Sequence, residues 1–191
     1  MSKITTIVIV GLVFLFGIIS VFQYNSLVSS DNAADKTWAN VETEYQRRFD
    51  LIDNLVETVK GYADFEKETL IKVTEARSAA FGAMKSVDEN GIEQFQIANN
   101  RMVGAMRGML GYSEKYPDLK ANKNFLELQA QLEGTENRIG IARERYNDAV
   151  EAHNNKVEKF PANMYAGMFG FSEREMFESV EGSDVAPKVK F

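Results

Sequence analysis

Residues 47–70 read RRFDLIDNLVETVKGYADFEKETL, and the spacing of their apolar members decides the fold. Phe49, Ile52, Leu55, Val56 and Val59 recur at three- and four-residue intervals, which places them on one side of a helix and leaves most of the charges to water. Sevenfold steps in both directions give Trp38, Tyr45, Ile52, Val59, Glu66, Val73 and Ala80, with Val41, Ala63 and Leu70 widening the stripe. The expectation is one long, coiled-coil-like amphipathic helix of about 45 residues, roughly 65–70 Å from end to end. Gly61 softens its middle; a break there would make two helices instead.

Beyond Val87–Gly91, where Asp, Asn and Gly together read as a turn, a second helix presents Ile92, Phe95, Met102, Met106 and Met109 on one face. Its methionines suit an adaptable packing surface. The segment from Gly111 to Ala121, with Pro117, closes it. A third helix then carries Phe125, Leu132, Ile139, Tyr146, His153 and Phe160 at sevenfold spacing, joined by Leu128, Ala142 and Ala149. Three amphipathic segments joined by short turns bury their faces only against one another, and short connections favour antiparallel neighbours.

Toward the amino terminus, Ile4–Phe22 reads ITTIVIVGLVFLFGIISVF without a charge, close to the roughly 20 apolar residues that cross a hydrocarbon layer as a helix. A cleaved signal peptide has a shorter apolar region and a small-residue cleavage site, for which VSS at Val28–Ser30 is a poor match. The expected fold is therefore all-α: an amino-terminal transmembrane helix followed by an antiparallel up-and-down bundle of three to four long helices. The expected divisions are an anchor at 1–30, a bundle at 31–178 and a flexible tail at 179–191. Lys3 and the terminal amine precede the apolar run and Asp31, Asp35 and Lys36 follow it, which favours a cytoplasmic amino terminus and a bundle outside the cytoplasm by a narrow margin.

Composition narrows the function classes. The 191 residues carry a formal net charge of -6, so no extended basic surface for nucleic acid is expected. The absence of cysteine excludes disulfides, thiolate metal sites and a cysteine nucleophile. Asp50, Asp53 and Glu57, spaced by three and four, share a helical face that could offer oxygen ligands to a metal. However, bundle di-iron sites use a Glu-x-x-His pair on each of two helices, whereas this chain has one histidine, His153, with Val150 three residues before it. A solvated acidic face is the expectation.

His153, on the apolar stripe, is expected to pack with its polar tip hydrogen-bonded. Glu66 interrupts the first stripe, and the expectation is that the stripe has drifted there, because a 3.6-residue helix slips against a sevenfold repeat. Gly104 and Gly108 fit a small-xxx-small pattern in the soluble part, where close helix packing would account for them. The aromatic region at Phe160, Tyr165, Phe169, Phe171 and Phe177 is expected to fold back over one end of the bundle, the other reading being an exposed partner-binding or membrane-interface patch. No catalytic residue, metal ligand, cofactor or small-molecule substrate is indicated.

The anchor, YNSLV at Tyr24–Val28, the opening stretch, VTEAR at Val73–Arg77 and FPANMYAGMFGF at Phe160–Phe171 together resemble the bacterial LemA proteins over essentially the whole chain. The resemblance implies a small single-pass membrane protein with an antiparallel helical bundle and no established enzyme activity, with a relative among magnetosome-associated membrane proteins. The family motif matches at Arg47, Arg48, Asp50, Leu51, Ile52, Asn54, Leu55 and Val56, followed here by Glu57, and again at Phe160, Pro161, Asn163, Phe169, Gly170 and Phe171. The family usually has tyrosine where Phe49 stands and proline where Asp53 stands, so a shared kink at that point is not implied for this chain. These motif residues are expected to be structural. The expected partners are the membrane and a protein partner or further copies of the chain.

Overall fold

The computed structural model describes residues 3–62, 66–87 and 91–178. Every regular element among them is a helix: α1 (Lys3–Lys60), α2 (Lys67–Lys85), α3 (Ile92–Ser113), α4 (Pro117–Lys120), α5 (Lys123–Glu158) and α6 (Ala162–Phe169). The expected tail at 179–191, Ala63 of the first stripe and the centre of the turn after Val87 lie outside the described residues. The described residues fall into two compact units, 3–43 with 140–174 and 44–139 with 175–178.

The single helix expected through the opening stretch is in fact two. α1 ends at Lys60, where Gly61 follows and the Tyr62 N–H closes a tight turn on the Val59 carbonyl at 3.0 Å. α2 restarts after Glu66, whose carbonyl accepts from the Thr69 and Leu70 N–H groups at 3.1 and 3.4 Å. Glycine is the residue whose helical conformation costs most backbone entropy, which makes Gly61 a natural stop. Glu66 is therefore exposed because a helix begins beside it, not because a continuous stripe has drifted.

In the second unit, Tyr45, Phe49, Ile52, Leu55, Val56 and Val59 of α1 are buried, as the apolar spacing predicts. Phe49 meets Phe81 of α2 edge-on at 5.6 Å, and Tyr45 meets Phe95 of α3 at 4.7 Å. The pairing of Asp53 with Arg77 alongside Phe49 with Phe81 shows α1 and α2 running antiparallel. Glu66 at the start of α2 receives the hydroxyl of Tyr112 at the end of α3, so these two form an antiparallel hairpin. α5 returns antiparallel to α1, with Tyr62 facing Asn122, Arg48 facing Thr135 and Glu44 facing Arg138. Asn122 also accepts the Phe125 N–H at 3.1 Å and so caps α5. The result is an up-down-up-down arrangement of α1, α2, α3 and α5.

Of the methionines on α3, Met102 and Met109 are buried and Met106 is half-buried. Gly104 and Gly108 face open space: a Cβ at either position would meet nothing within 4 Å, so close helix packing does not account for that pair. The amino end of α3 is capped from a distance in sequence: Glu175 Oε2 accepts the Ile92 N–H at 3.0 Å, and Phe177 is buried edge-on against Phe95. Glu175→Ala is expected to destabilise the unit by about 0.5–2 kcal/mol, as loss of a helix cap does. Faster amide exchange at Ile92 would accompany it, and unchanged exchange would remove Glu175 from that role.

In the first unit, α1 is exposed from Ile4 to Phe22 apart from the half-buried Ser20, and begins to bury residues at Leu27, then at Ser30, Ala34 and Val41. Apolar surface on all faces of a helix is unfavourable in water by roughly 25 cal/mol per Å² and favourable in lipid. This helix is long and apolar enough to cross a membrane. From Leu27 onward it pairs antiparallel with α5, through Ser26 with Lys156, Ser30 with His153 and Trp38 with Tyr146. α5 stops at Glu158, so Phe160 does not continue the buried stripe and is 78% exposed.

Candidate functional site

Two groups of residues carry the polar chemistry, one in each unit. In the second unit the opening stretch supplies Arg48, whose guanidinium is buried although Arg47 beside it is exposed. Arg48 Nε donates to Thr135 Oγ1 at 3.2 Å, its Nη2 donates to Glu136, and the guanidinium lies over the Tyr45 ring. Thr135 Oγ1 in turn donates a hydrogen bond to the Leu132 carbonyl at 2.6 Å. The group links α1 to α5 across otherwise apolar packing.

The acidic face of α1 does not converge. Asp50 accepts from Gln46 at 2.8 Å, Asp53 pairs with Arg77 at 2.6 Å, and Glu57 pairs with Lys60 at 2.5 Å. Asn54 is exposed, and its carbonyl accepts from Thr58. Among the described residues no group of three His, Cys, Asp or Glu side chains is placed to hold a metal ion. The Arg77 guanidinium lies over both Phe49 and Phe81, 5.6 and 5.2 Å from the ring centroids, so its charge is shared between a carboxylate and two rings.

At the start of α2, the hydrogen bond that the Tyr112 phenol donates to Glu66 pushes it up from 10.0 to about 12, because ionisation would remove that bond and set a phenolate against a carboxylate. A raised tyrosine value means that this contact contributes fully below the unfolded value near 10 and is lost as pH rises through about 12. Titration of tyrosine absorbance near 295 nm is expected to show one phenol ionising late, and Glu66→Gln is expected to bring it back toward 10. Equal titration curves for the two proteins would contradict the contact.

In the first unit, α1 contributes Ser26, Ser30, Asp31 and Asp35, α5 contributes His153, Asn154 and Lys156, and the segment after α6 contributes Ser172 and Arg174. His153 is 1% exposed. Its Nε2 faces the Ser172 carbonyl at 3.0 Å and so carries the donated hydrogen, while Nδ1 lies 3.3 Å from Ser30 Oγ. Asn154 holds the Arg174 backbone in both directions, donating to its carbonyl and accepting its N–H, each at 2.9 Å. Arg174 then donates to Asp31 from Nε and Nη2 at 2.9 and 2.7 Å and reaches Asp35 from Nη1 at 2.7 Å. Burial alone would lower the Arg174 value, but hydrogen bonds to Asp35 and Asp31 hold it above the ordinary arginine range. This arrangement straps the trailing segment across α1 and α5.

The FPANMYAGMFGF motif forms the neighbouring closure. Pro161, after a cis peptide bond, opens α6; Asn163 is exposed and donates its N–H to the Lys159 carbonyl at 3.0 Å. Gly170 closes the helix with φ 79, a left-handed conformation that glycine adopts at no steric cost, and the Phe171 N–H returns to the Ala166 carbonyl at 3.0 Å. Tyr165 and Ala166 are buried against Leu27, with Val157 and Phe171 packed beside them. Phe169 is 45% exposed. Tyr165 and Phe177 thus turn inward, each within its own unit, while Phe160 and Phe169 do not.

Arg77, Thr135, Glu136 and Arg174 are cross-linking residues that the apolar pattern does not single out. Arg48 and Thr135 fall at inward heptad steps between Tyr45 and Ile52 and between Leu132 and Ile139, a signal that a strict count would expose. Arg174 lies in a segment without period and gives no such signal.

Comparison with known proteins extends these observations. Protein LemA of Metamycoplasma hominis is 25% identical over 168 residues, covering 87% of this chain and 74% of that protein. Magnetosome protein MamQ 2 of Paramagnetospirillum magneticum is 25% identical over 182 residues, covering 85% of this chain and 67% of that protein. MamQ of Magnetospirillum gryphiswaldense matches with the same identity and the same coverage. The exposed apolar run of α1 and these relatives are consistent with membrane association. Both the opening stretch and the α6 closure lie inside residues 37–191, which match the LemA family profile, and the chain belongs to the LemA family.

Proposed function

We propose that this protein is a non-enzymatic interaction module of the cell envelope, holding a helical scaffold against a membrane for a protein partner or for further copies of itself. The observation that supports this reading is the continuity of α1, which passes from the apolar run into its pairing with α5 without a linker. A helix that is both span and scaffold transmits position and orientation, which a flexible tether cannot do. The charge asymmetry around the run supports a bundle outside the cytoplasm.

The test is crosslinking in native membranes followed by affinity capture after gentle solubilisation. The expected result is a defined crosslinked partner or oligomer. That species should diminish when a flexible glycine-serine insertion separates Asn25 from Ser26. Recovery of neither partner nor oligomer would overturn the reading. The likeness to magnetosome proteins supports a second reading, membrane organisation through self-association. Altered membrane morphology on overproduction, with an oligomer in detergent, would favour it; unchanged membranes and a monomer would exclude it.

A further inference from the structure

We infer that α6 is a second membrane contact, lying in the interfacial layer beside the point where α1 leaves the bilayer, with its outer face against lipid. Met164 and Met168 stand four residues apart on α6, so they share the side of the helix away from Leu27, and Phe160 is exposed just before the helix begins. Phe160, Met164 and Met168 are 78%, 61% and 64% exposed, and Phe169 at the end of the helix is 45% exposed. The opposite side, at Ala162, Tyr165 and Ala166, is buried. Apart from the exposed Asn163, α6 is therefore apolar on both faces, a pattern closer to helices enclosed by protein or lipid than to helices half in water.

The position of α6 along α1 identifies what encloses it. The Tyr165 ring lies 6.1 Å from the ring of Phe16, which belongs to the apolar run, while Phe169 lies 4.9 Å from Tyr24, just beyond the end of that run at Phe22. Phe16 precedes Phe22 by six residues, or about 9 Å along the helix axis. Hence α6 brackets the level at which α1 passes from hydrocarbon to water, and a bilayer around Ile4–Phe22 must also meet α6. No charged residue occurs between Lys159 and Glu173. α6 thus lacks the charged face of a free interfacial helix, and its inner face is covered by Leu27 instead of water; the outer face is placed at the depth such helices reach, ~5–10 Å into the headgroup boundary. Lipid is favoured over a second copy of the chain because Tyr165 and Phe169 hold α6 alongside the part of α1 that a bilayer would surround.

The absence of cysteine allows single-cysteine variants of the full chain to be labelled with an environment-sensitive fluorophore. Met164→Cys and Met168→Cys report the proposed contact, Phe14→Cys reports the span, and Leu126→Cys, 48% exposed on α5, reports an exposed position of the second unit. Each is reconstituted in phosphatidylcholine–phosphatidylglycerol vesicles, with and without brominated acyl chains, and tested with aqueous iodide. Labels at 164 and 168 are expected to lose roughly half or more of their emission to brominated lipid, as at Phe14, with the label at 126 responding only to iodide. Iodide quenching at 164 and 168 equal to that at 126 would overturn the inference. Shielding from both quenchers would overturn it too, because protein, such as a second copy, would then cover the face. If the label at Phe14 also escapes brominated lipid, the span reading fails and the inference falls with it.

Discussion

Replacing Glu136 by alanine is expected to lower the unfolding free energy by about 3 kcal/mol, more than any comparable change in a carboxylate as exposed as this one. Its partner is the reason: the Arg48 side chain is 2% exposed, whereas Glu136 is 67% exposed. Removing the carboxylate leaves a desolvated guanidinium held by Thr135 Oγ1 and the Tyr45 ring. The usual cost of orphaning a buried charge is about 3–5 kcal/mol, and the lower end applies because the Glu136 position admits water once it is vacated.

Arg48→Met makes the opposite change. It removes the buried charge, leaves Glu136 in solvent, and retains an unbranched apolar stem in the helix interface, so its cost is expected to be about 1.5 kcal/mol or less. For a chain of this length the Glu136→Ala loss corresponds to a fall in Tm of roughly 6–12 °C, measurable from the helical signal of detergent-solubilised protein. If Arg48→Met costs more than Glu136→Ala, packing and the Thr135 hydrogen bond, not the uncompensated charge, hold this part of α1 to α5.

The buried arginine also marks the limit of what the sequence discloses. Hydrophobic spacing makes the apolar positions of α1 and α5 legible because burial follows the helical period, and Phe49, Ile52, Leu55 and Val59 are all buried as their spacing predicts. Arg47 and Arg48 are chemically identical neighbours, and only the phase of the helix separates the exposed one from the buried one. The break after Lys60 is concealed for a related reason. Val59 and Val73 stand two heptads apart and are both buried, so the stripe keeps its phase from α1 into α2. Periodicity reports which residues face a core but does not report whether one helix or two present them. The strap through Arg174 depends on contacts between residues more than a hundred positions apart, outside any helical period. Its partners on α1, Asp31 and Asp35, look in sequence like ordinary charges beside a membrane.

Asp53→Pro is expected to destabilise the second unit by about 4 kcal/mol, a fall in Tm of roughly 8–16 °C. Two separable losses add to that figure. The first is the Arg77–Asp53 pair at 2.6 Å, which Asp53→Ala removes by itself. That pair is partly exposed, and Arg77 keeps its position over Phe49 and Phe81, so the alanine variant is expected to lose only about 1 kcal/mol. The second is helical: residue 53 stands inside α1, where its N–H would bond to the carbonyl of residue 49 and where a proline ring would clash with that same carbonyl. This accounts for ~3 kcal/mol and directly perturbs the turn that carries Phe49. The difference between the two variants therefore measures what a regular helix at that point is worth in this protein. A difference of about 3 kcal/mol is expected from an uninterrupted α1. If both variants melt at the same temperature, the helix does not run regularly through Asp53, and the aspartate serves only to hold Arg77.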